Sequence, residues 1–426
     1  MRSNEIKRLV LFTAHYPYTN GESFLEDEMK YVANLFDEIL IVTAEKSATN
    51  DRYYIPDHAM VIESRKGLKR YIGLLMACIH MFVPTTIREI KYGIREQKGI
   101  HSTLEILKKI LITESNIATT KMSFPKWYSK EPTLYYAYWL DAEASYLSLI
   151  RNKLNGICIA RAHGGDCFFD RDYHPFRRRQ LSMLDKIYPI SEKGMVDIVQ
   201  HYSQYVEDIS EKVQTMYLGI PAPSQCMNPW VKKEEATVVS CAEVKGLKRI
   251  DLMIDALRII DRPIHWIHFG DGELMEDIER YAHKQLDGLK NIRFEFTGRI
   301  LKDDILKFYK EQSVDVFVNT SDQEGIPVSI MEAMSYGIPV VARDIGGNSE
   351  LVSNECGILV SSQVTPQKIA EAIRRVLEMD RMQNIALRKA ARDVVFNDFN
   401  ETKNYERFYR HILCCRKGMK NGHKRI

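Results

Sequence analysis

Residues 314–343 read VDVFVNTSDQEGIPVSIMEAMSYGIPVVAR, and this stretch decides the fold. Both ends are short β-branched runs, which are typical of buried strands, and the segment between them is long enough for a helix. Parallel strands need a crossover connection, usually a helix, so this order predicts a parallel β-α-β unit. Two glutamates, Glu324 and Glu332, frame the turn at which the first strand ends. Ligands of parallel sheets bind outside the carboxyl ends of the strands, so this turn is the first candidate for a binding site.

The same alternation of strands and helices continues through both halves of the chain. In the second half, strands are predicted at 236–242, 264–270, 292–298, 314–321 and 338–343, with helices at 249–260, 273–286, 302–312, 328–337, 365–378 and 384–415. In the first half, strands are predicted at 7–13, 38–44, 134–140, 156–162, 186–191 and 213–220, with a helix at 22–36. Two such series predict the α/β class, with two doubly wound Rossmann-like domains facing a central cleft.

The two series are separated by residues 221–235, which contain three prolines and no periodicity and are predicted to be a linker. The N-terminal domain is predicted to span 1–220 and the C-terminal domain 236–399. The helical segment 400–415 is expected to join the N-terminal domain, and residues 416–426 are expected to form a basic tail.

Composition narrows the class of protein. At 426 residues the chain is too long for one ordinary core, and its 45% hydrophobic and 27% charged residues are typical of globular domains. A net charge of +3 does not favour a nucleic-acid partner, and we expect none. The eight cysteines lack the paired spacing of metal sites, which indicates reduced thiols in a cytoplasmic protein. The N-terminus does not have the pattern of a signal peptide, and the apolar run 71–83 is shorter than the roughly 20 residues of a spanning helix.

The turn before the helix at 328–337 has the features of an anion site. Gly325 and Pro327 shape it, and Pro327 stands where a proline suits a helix start. The free amides and the dipole of a helix's first turn attract a phosphate. Glu332 lies one helical turn beyond Val328, so Glu324 and Glu332 can accept hydrogen bonds from sugar hydroxyls on either side of that phosphate. The alternative is that both glutamates only cap or solvate the helix start, where acidic residues are favoured.

These motifs resemble a known family. The spacing of Glu324 and Glu332 within EGIPVSIMEAMSYGIPVVA matches the E-x7-E pattern of the retaining GT-B glycosyltransferases of family 4, which use nucleotide-sugar donors. The resemblance continues through VVSCAEVKGLKRIDLMIDAL (238–257), HFGDGEL (268–274) and FTGRI (296–300), and more loosely through RAHGGD and YPISEKG in the first half. It implies an N-terminal acceptor-binding domain and a C-terminal domain that binds the nucleotide sugar.

The resemblance implies catalytic roles for Lys248, Arg249 and Glu324. Lys248 matches the lysine that neutralises the donor diphosphate, and Arg249 stands beside it. The chemistry needs such cations in any case, because the diphosphate gains negative charge as the glycosidic bond breaks. Many relatives carry an arginine about five residues before the lysine, where this chain has Glu243, and Arg249 is expected to substitute for it. The alternative is a solvated helix start, although the helix dipole disfavours cations there.

Further positions are implied on both sides of the expected site. On the donor side they are Gly270, Gly298, Arg299, Gly325, Ile326, Pro327, Val328 and Glu332, and on the acceptor side Gly21, Gly164 and Asp166. His163 is also implied to be catalytic, facing the donor sugar and the acceptor. A structural histidine and turn glycines without ligand contact remain the alternatives for His163, Gly270 and Gly298. The loop at 344–350 is expected to approach the same ligand through Gly346 and Gly347.

We expect no required metal and no cofactor; the donor substrate would be a UDP- or GDP-sugar. Asp170 and Asp172 form a D-x-D pair, as found in metal-dependent transferases of the other major fold, but they follow a loop, and Lys248 already provides a cation. A dinucleotide oxidoreductase would need G-x-G-x-x-G after its first strand, and TAHYPYTNGES offers one glycine.

Residues 65–98 hold eight Lys or Arg against two Glu around an apolar core, and the tail 416–426 adds five basic residues and no acid. Basic amphipathic segments of this kind can lie on an anionic membrane surface. The alternative is an ordinary helix packed on the sheet with a solvated basic face, followed by a disordered tail. A cytoplasmic protein with reversible contact to the inner face of the plasma membrane would suit a lipid-linked acceptor.

The sequence therefore favours a hexosyltransferase that moves a sugar, with retention, from a nucleotide-diphosphate donor to a saccharide or lipid-linked saccharide acceptor. Bacterial surface polysaccharide, lipopolysaccharide or exopolysaccharide synthesis is the setting that the resemblance implies. Two alternatives stay open. One is a nucleotide-sugar 2-epimerase of the same fold, and the other is a non-catalytic, transferase-like partner subunit.

Overall fold

The computed structural model divides the chain into two compact units, Met1–Tyr217 with Asn404–Ile426 and Leu218–Lys403. The residues that it describes are 6–18, 22, 24–45, 52–96, 102–125, 130–169, 171–221, 223 and 227–419. Gly21, Asp170 and residues 420–426 of the basic tail lie outside the described residues.

The first unit is built on a six-stranded parallel sheet. Its strands are β1 (Arg8–Thr13), β2 (Glu38–Thr43), β3 (Ala59–Glu63), β4 (Thr133–Ala137), β5 (Gly156–Ala162) and β6 (Lys186–Pro189). Its helices include α1 (Phe24–Val32), α2 (Leu68–His80), α3 (Pro84–Glu96), α4 (Thr103–Ser123), α5 (Ala142–Ile150), α6 (Gly164–Cys167), α7 (Arg177–Met183), α8 (Glu192–Tyr202) and α9 (Ile209–Lys212). The strand order is β3-β2-β1-β4-β5-β6, so the order reverses between β1 and β4. These two strands form the topological switch point, beside which ligands of such sheets bind.

The second unit repeats this plan. Its strands are β7 (Ala236–Cys241), β8 (Ile264–Phe269), β9 (Ile292–Phe296), β10 (Val316–Asn319), β11 (Val340–Arg343) and β12 (Gly357–Val360). Its helices are α10 (Ile250–Leu257), α11 (Met275–Leu286), α12 (Lys302–Glu311), α13 (Val328–Ser335), α14 (Asn348–Leu351), α15 (Pro366–Glu378) and α16 (Arg381–Asp398), after which α17 (Glu401–Met419) carries the chain into the first unit. The order β12-β11-β10-β7-β8-β9 places the switch point between β7 and β10.

Burial on both faces explains the continuous apolar runs of the strands. In β1, Val10 and Phe12 belong to one buried cluster, whereas Leu9 and Leu11 belong to another. Successive side chains of a strand point to opposite faces, so each face of the sheet is covered by its own apolar layer. The predicted α/β class with two Rossmann-like domains is confirmed.

The strand predicted at 213–220 is wrong. Only single bridges form, at Val213 with Ile187 and at Ile220 with Asn400. The segment runs beside β6, where the Met216 amide donates to the Pro189 carbonyl at 2.9 Å. Proline has no amide hydrogen to return, so a regular ladder cannot continue along this edge.

The long helix predicted at 384–415 is also wrong, because α16 and α17 are separate helices. The break lies at Phe399 and Asn400, where a passing segment takes the backbone hydrogen bonds. The Ile220 amide donates to the Phe399 carbonyl at 3.0 Å, and the Glu401 amide donates to the Ile220 carbonyl at 3.1 Å. The interruption comes just before the chain leaves the second unit at Lys403.

Residues 221–235, predicted as a linker, belong to the second unit. Asn228 is buried, and its side-chain amide donates to the carbonyls of Tyr309 and Gln312 at 2.7 Å each. The Trp230 indole donates to Asp315 at 2.8 Å. The described part of this segment is therefore packed against the end of α12 and the strand that follows it.

A buried polar cluster holds α17 to the first unit. Arg161 is fully buried in β5, and its guanidinium donates to the Tyr136 hydroxyl at 2.6 Å and lies 3.7 Å from the Glu28 carboxylate. The Tyr409 hydroxyl of α17 donates to the same carboxylate at 2.7 Å, and the Phe408 ring packs on the Arg161 guanidinium at 4.3 Å. Removing one member of a buried ionic cluster leaves the remaining polar groups short of hydrogen-bond partners, which is destabilising. The cluster therefore stabilises the packing of α17 against the sheet.

We expect Tyr409→Phe to lower the free energy of unfolding by about 1–3 kcal/mol, because Glu28 loses a hydrogen bond that water cannot replace. Urea denaturation followed by circular dichroism measures this loss. Tyr31→Phe is the matched control, because the Tyr31 ring stacks on Tyr409 at 6.0 Å but is less deeply buried. A loss in Tyr31→Phe as large as that in Tyr409→Phe would contradict the role assigned to the hydroxyl.

Candidate active site

The central feature of the second unit is an ion pair across its switch point. Lys248 ends a short 3-10 turn, Gly246–Lys248, after β7, and Glu324 lies in the loop after the neighbouring strand β10. The Lys248 Nζ lies 2.7 Å from the Glu324 Oε1, to which Asn319 Nδ2 also donates at 3.2 Å. The two charged side chains are 21% and 9% exposed. The structure thus brings together two of the residues predicted to be catalytic.

Backbone contacts fix the two loops against each other. The Thr320 hydroxyl donates to the Lys248 carbonyl at 3.0 Å, and the Asp322 amide donates to the Leu247 carbonyl at 2.7 Å. Arg343, at the end of β11, is buried and donates to the carbonyls of Thr320 and Ser321 at 3.1 Å each. Sequence reasoning missed Arg343, although a lone arginine at the end of an apolar strand is a signal for such a role.

Arg249 is placed differently from Lys248. Its backbone is left-handed, with φ 48°, and its guanidinium donates to Asp251 at 2.8 Å and to Asp322 at 3.3 Å. The hydrogen bonds with Asp251 raise the pKa of Arg249. Two carboxylates thus lie against the charge of Arg249, whereas one carboxylate lies against that of Lys248. Arg249 is therefore less available than Lys248 to pair with an added anion.

Helix α13 begins four residues after Glu324. Pro327 is its N-cap, with φ −76°, and Ile326 is buried beneath the turn. Glu332 is 7% exposed, and Lys302 Nζ approaches its carboxylate to 3.8 Å. Burial, and then the negative charge of Glu332, raise the pKa of Cys241, the last residue of β7, to about 12. Glu324 and Glu332 thus both lie near the carboxyl ends of the two switch-point strands.

The glycines of the neighbouring loops have packing roles of their own. Gly346 has φ +49°, and a Cβ there would lie 2.0 Å from the Glu324 carbonyl oxygen. The Gly347 amide donates to the Gly325 carbonyl at 2.7 Å, so this loop supports the loop of Glu324 from behind. Gly270, with φ +145°, approaches the Ala242 carbonyl so closely that a Cβ would lie 1.9 Å away. The conformation of Gly270 is therefore explained without a ligand.

Gly298 and Arg299 lie at the end of β9. The Gly270 amide donates to the Gly298 carbonyl at 3.1 Å, which joins the ends of β8 and β9. Gly298 has φ +67°, and Arg299 is exposed. These two residues border the same edge of the sheet as Lys248, on the β8 side of the switch point.

The first unit has a polar contact across its own switch point, and sequence reasoning missed the residue that makes it. Glu22 is buried, with φ 56°, and its carboxylate accepts hydrogen bonds from the backbone amides of Ala14, His15 and Tyr16 after β1. The Trp139 indole, after β4, donates to the same carboxylate. The only indication of this role in the sequence was that Glu22 directly follows Gly21, a predicted acceptor-side residue.

His163 directly follows β5 in an aromatic environment. Its ring centroid lies 4.2 Å from that of Trp139, 5.0 Å from Tyr138 and 5.9 Å from Phe24. Its Nε2 lies 3.1 Å from the Tyr138 carbonyl, which can only accept, so Nε2 carries the proton. Burial, and then the positive charge of Arg161, lower the pKa of His163 to about 3. The side chain is therefore a neutral imidazole whose Nδ1 can accept a hydrogen bond.

Gly164 and Asp166 belong to the short helix α6, which His163 precedes. The Asp166 carboxylate accepts from the amides of His163 at 3.1 Å and Leu140 at 3.2 Å. Burial raises the pKa of Asp166. Asp166 thus joins the loops after β4 and β5 and positions His163, whereas Gly164 is half-buried at the helix start.

Of the D-x-D pair, only Asp172 lies within the described residues. Asp172 forms an ion pair with Lys109, and its carboxylate accepts from the Tyr173 amide at 2.9 Å. Within the described ranges, no group of three or more His, Cys, Asp or Glu is arranged to hold a metal ion.

We expect the His163 ring signals to stay constant between about pH 5 and pH 8, because the charged form is disfavoured by burial. NMR titration of ring-labelled histidine measures this, and His163→Gln identifies the signal among the 12 histidines. The urea-unfolded chain is the control, since an unburied imidazole titrates near pH ~6.5. A His163 midpoint near that value in the folded protein would contradict the buried, neutral assignment.

Comparison with known proteins shows which sequences the second unit is similar to. The sequence model of the family described as Glycosyl transferases group 1 matches residues 235–379. The O-antigen biosynthesis glycosyltransferase WbnH of Escherichia coli is 25% identical over 276 residues, which is 63% of this chain and 72% of WbnH. The UDP-Gal:alpha-D-GlcNAc-diphosphoundecaprenol alpha-1,3-galactosyltransferase of Escherichia coli is 35% identical over 138 residues, 32% of this chain and 34% of that enzyme.

Among solved structures, HepE of Anabaena in complex with UDP and glucose aligns with a TM-score of 0.65 and 17% identity. The alignment covers 95% of this chain and 98% of HepE. This likeness shows a shared two-domain fold. The sequence matches show that the second unit is similar to glycosyltransferases.

Proposed function

We propose that this chain is a retaining, metal-independent glycosyltransferase of GT-B family 4. It would move a sugar from a UDP- or GDP-sugar to a saccharide or lipid-linked saccharide acceptor in the synthesis of a bacterial surface polysaccharide or exopolysaccharide. The observation that carries this proposal is the Lys248–Glu324 pair at the β7–β10 switch point, inside the region that matches the family. The acceptor class follows the two relatives described above, one named for O-antigen biosynthesis and the other for a diphosphoundecaprenol-linked sugar.

Lys248 would neutralise the diphosphate as it leaves. The glycosidic bond to the diphosphate breaks, and the acceptor hydroxyl forms the new bond on the same face while its proton passes to the departing phosphate oxygen. The negative charge that develops on the diphosphate is stabilised by the preorganised ammonium and by the amides of the first turn of α13. Because loop contacts already hold Lys248 in the free protein, little reorganisation is needed when the bond breaks.

The two glutamates would orient the donor. Glu324 fixes the Lys248 ammonium at 2.7 Å, and its carboxylate would also accept a hydrogen bond from a sugar hydroxyl of the donor. Glu332 lies one helical turn along α13 and would accept from a second diol of the donor. His163, as a neutral acceptor, would bind a hydroxyl and would not act as a general acid near pH 7, since its pKa is lowered to about 3.

The function is tested by a donor screen. The protein is mixed with UDP-, GDP- and ADP-sugars in EDTA, and released nucleotide diphosphate is followed by chromatography. We expect release from one donor, and we expect Lys248→Ala to lower the rate by about 10²–10³-fold, the usual cost of removing one charge-stabilising donor. Lys245→Ala is the matched control, because Lys245 lies in the same loop but pairs with the exposed Glu243. Glu324→Gln should also lower the rate.

Other outcomes identify the alternatives. Conversion of the donor to an isomer would indicate a nucleotide-sugar 2-epimerase. Loss of release in EDTA, restored by a divalent ion, would contradict metal independence. Lack of release from every donor in the presence of lipid-linked acceptors would indicate a non-catalytic subunit. Equal losses in Lys248→Ala and Lys245→Ala would contradict the specific role of Lys248.

A further inference from the structure

Helix α2 turns its large apolar side chains outward. Only Gly73 and Ala77 of this helix are buried. By contrast, Leu68 is 72% exposed, Tyr71 73% and Leu75 64%. A helix at the surface of a water-soluble domain normally places its large apolar residues on the buried face. The orientation of α2 is therefore the reverse of that expected for a helix whose outer face meets only water.

Close packing on α4 fixes this orientation. A Cβ on Gly73 would lie 2.5 Å from Thr119 Cγ2 and 2.9 Å from the Ser115 carbonyl oxygen, so the two helices meet through small residues. The Lys69 ammonium donates to the Ser123 hydroxyl at the end of α4 at 2.9 Å. Because only the glycine and alanine side of α2 fits against α4, the helix cannot rotate to bury its bulky side chains.

The exposed apolar surface continues around a bend. Helices α2 and α3 meet at 78°, and Phe82 at the bend is 82% exposed. We call this surface the α2–α3 face; its exposed apolar members are Leu68, Tyr71, Ile72, Leu74, Leu75, Ile79, Phe82, Val83 and Ile87. A contiguous exposed apolar surface of this kind marks an interaction site in most proteins.

Cations flank the α2–α3 face. Lys66 and Arg70 stand at the start of α2, and Arg88 and Lys91 lie on α3, all four exposed. A cavity of about 350 Å³ between α2 and α4 brings Arg65 and Arg70 together with the apolar Tyr71, Leu74 and Ile112. Apolar side chains rimmed by basic ones complement an anionic lipid surface, in which acyl chains lie beneath negatively charged headgroups.

We propose that the α2–α3 face docks this protein on an anionic membrane surface. The apolar side chains, led by Phe82 at the bend, would enter the boundary between headgroups and acyl chains. The flanking lysines and arginines would contact the lipid phosphates. This docking surface is independent of the proposed chemistry, so a protein inactive toward every donor would still bind such a membrane.

The buried hydrogen bonds of α3 favour docking on the membrane surface over crossing the membrane. Within the described ranges, no single helix is long and apolar enough to span a membrane, and only the bent pair α2 and α3 meets that length and composition together. Glu89 of α3 is buried and accepts from the Tyr173 hydroxyl at 2.9 Å and the Phe176 amide at 2.8 Å. Crossing would break these bonds and move a carboxylate into hydrocarbon, whereas surface docking leaves them intact.

Charge also favours a lipid surface over a second copy of the chain. In a two-fold symmetric dimer through the α2–α3 face, the same lysines and arginines of both copies would meet each other. Like charges brought together in this way oppose association, whereas an anionic bilayer is attracted by all of them.

Vesicle flotation of the full chain tests the proposal. We expect binding to vesicles of phosphatidylcholine with phosphatidylglycerol, and weaker binding to phosphatidylcholine alone. Leu75→Glu combined with Phe82→Glu should weaken binding to the anionic vesicles by at least about tenfold, because two buried apolar side chains are lost and two charges must be desolvated. Arg70→Gln and Lys91→Gln should each weaken it about fivefold.

Met382→Glu is the matched control, since Met382 is 75% exposed in α16 of the second unit. Thermal unfolding of each variant verifies that the exposed substitutions leave the fold intact. Wild-type protein that does not float with anionic vesicles would overturn the proposal, as would equal losses in Met382→Glu and the α2–α3 variants. A dimer in sedimentation equilibrium that dissociates in Leu75→Glu/Phe82→Glu would overturn it in favour of a second copy.

Discussion

The ion pair between Lys248 and Glu324 joins the two strands at which the second sheet reverses its order. Parallel strands deliver their following loops to one edge, so β7 and β10 can hold opposite charges side by side although the residues are 76 positions apart. A carboxylate that is only 9% exposed needs a partner, and Lys248 provides it. Arg343 holds the start of the β10 loop through the Thr320 and Ser321 carbonyls, and α13 begins after its N-cap, Pro327. A cation, a helix start and two carboxylates are thereby placed at one edge of the sheet.

The first unit has the same strand order but different chemistry at its switch point. There the carboxylate of Glu22 accepts hydrogen bonds from backbone amides after β1 and from the Trp139 indole after β4. Successive amides of this kind commonly bind anions, so in this conformation the loop holds an anion from its own chain. His163 lies among aromatic rings, and its imidazole is neutral near pH 7, since its pKa is lowered to about 3. This division suits a phosphate-binding second unit and a first unit that recognises hydroxyl groups and apolar surfaces.

Sequence periodicity predicted most strands of the parallel sheets, because strands buried on both faces are continuous apolar runs, but it missed the edge strands β3 and β12. It failed where tertiary contacts override local pattern. The helix break at Phe399 is imposed by hydrogen bonds from Ile220, and the 213–220 strand is prevented by Pro189. The E-x7-E spacing predicted a donor site in the β10 loop because that motif is local, and the structure places Glu324 of this motif beside Lys248. Glu22 and Arg343 were missed because their roles depend on loops distant in sequence, and the basic character of α2 did not indicate which of its faces is buried.

A crystal structure with UDP bound most directly tests whether the donor diphosphate binds at the β7–β10 switch point. We predict that the phosphate oxygens lie within about 3 Å of the Lys248 ammonium and of the first amides of α13. Lys248 would then contact the phosphate while its loop stays in place, held by Thr320. A diphosphate bound at the loop after β1, or one bound in the second unit with Lys248 contacting only Glu324, would contradict this site.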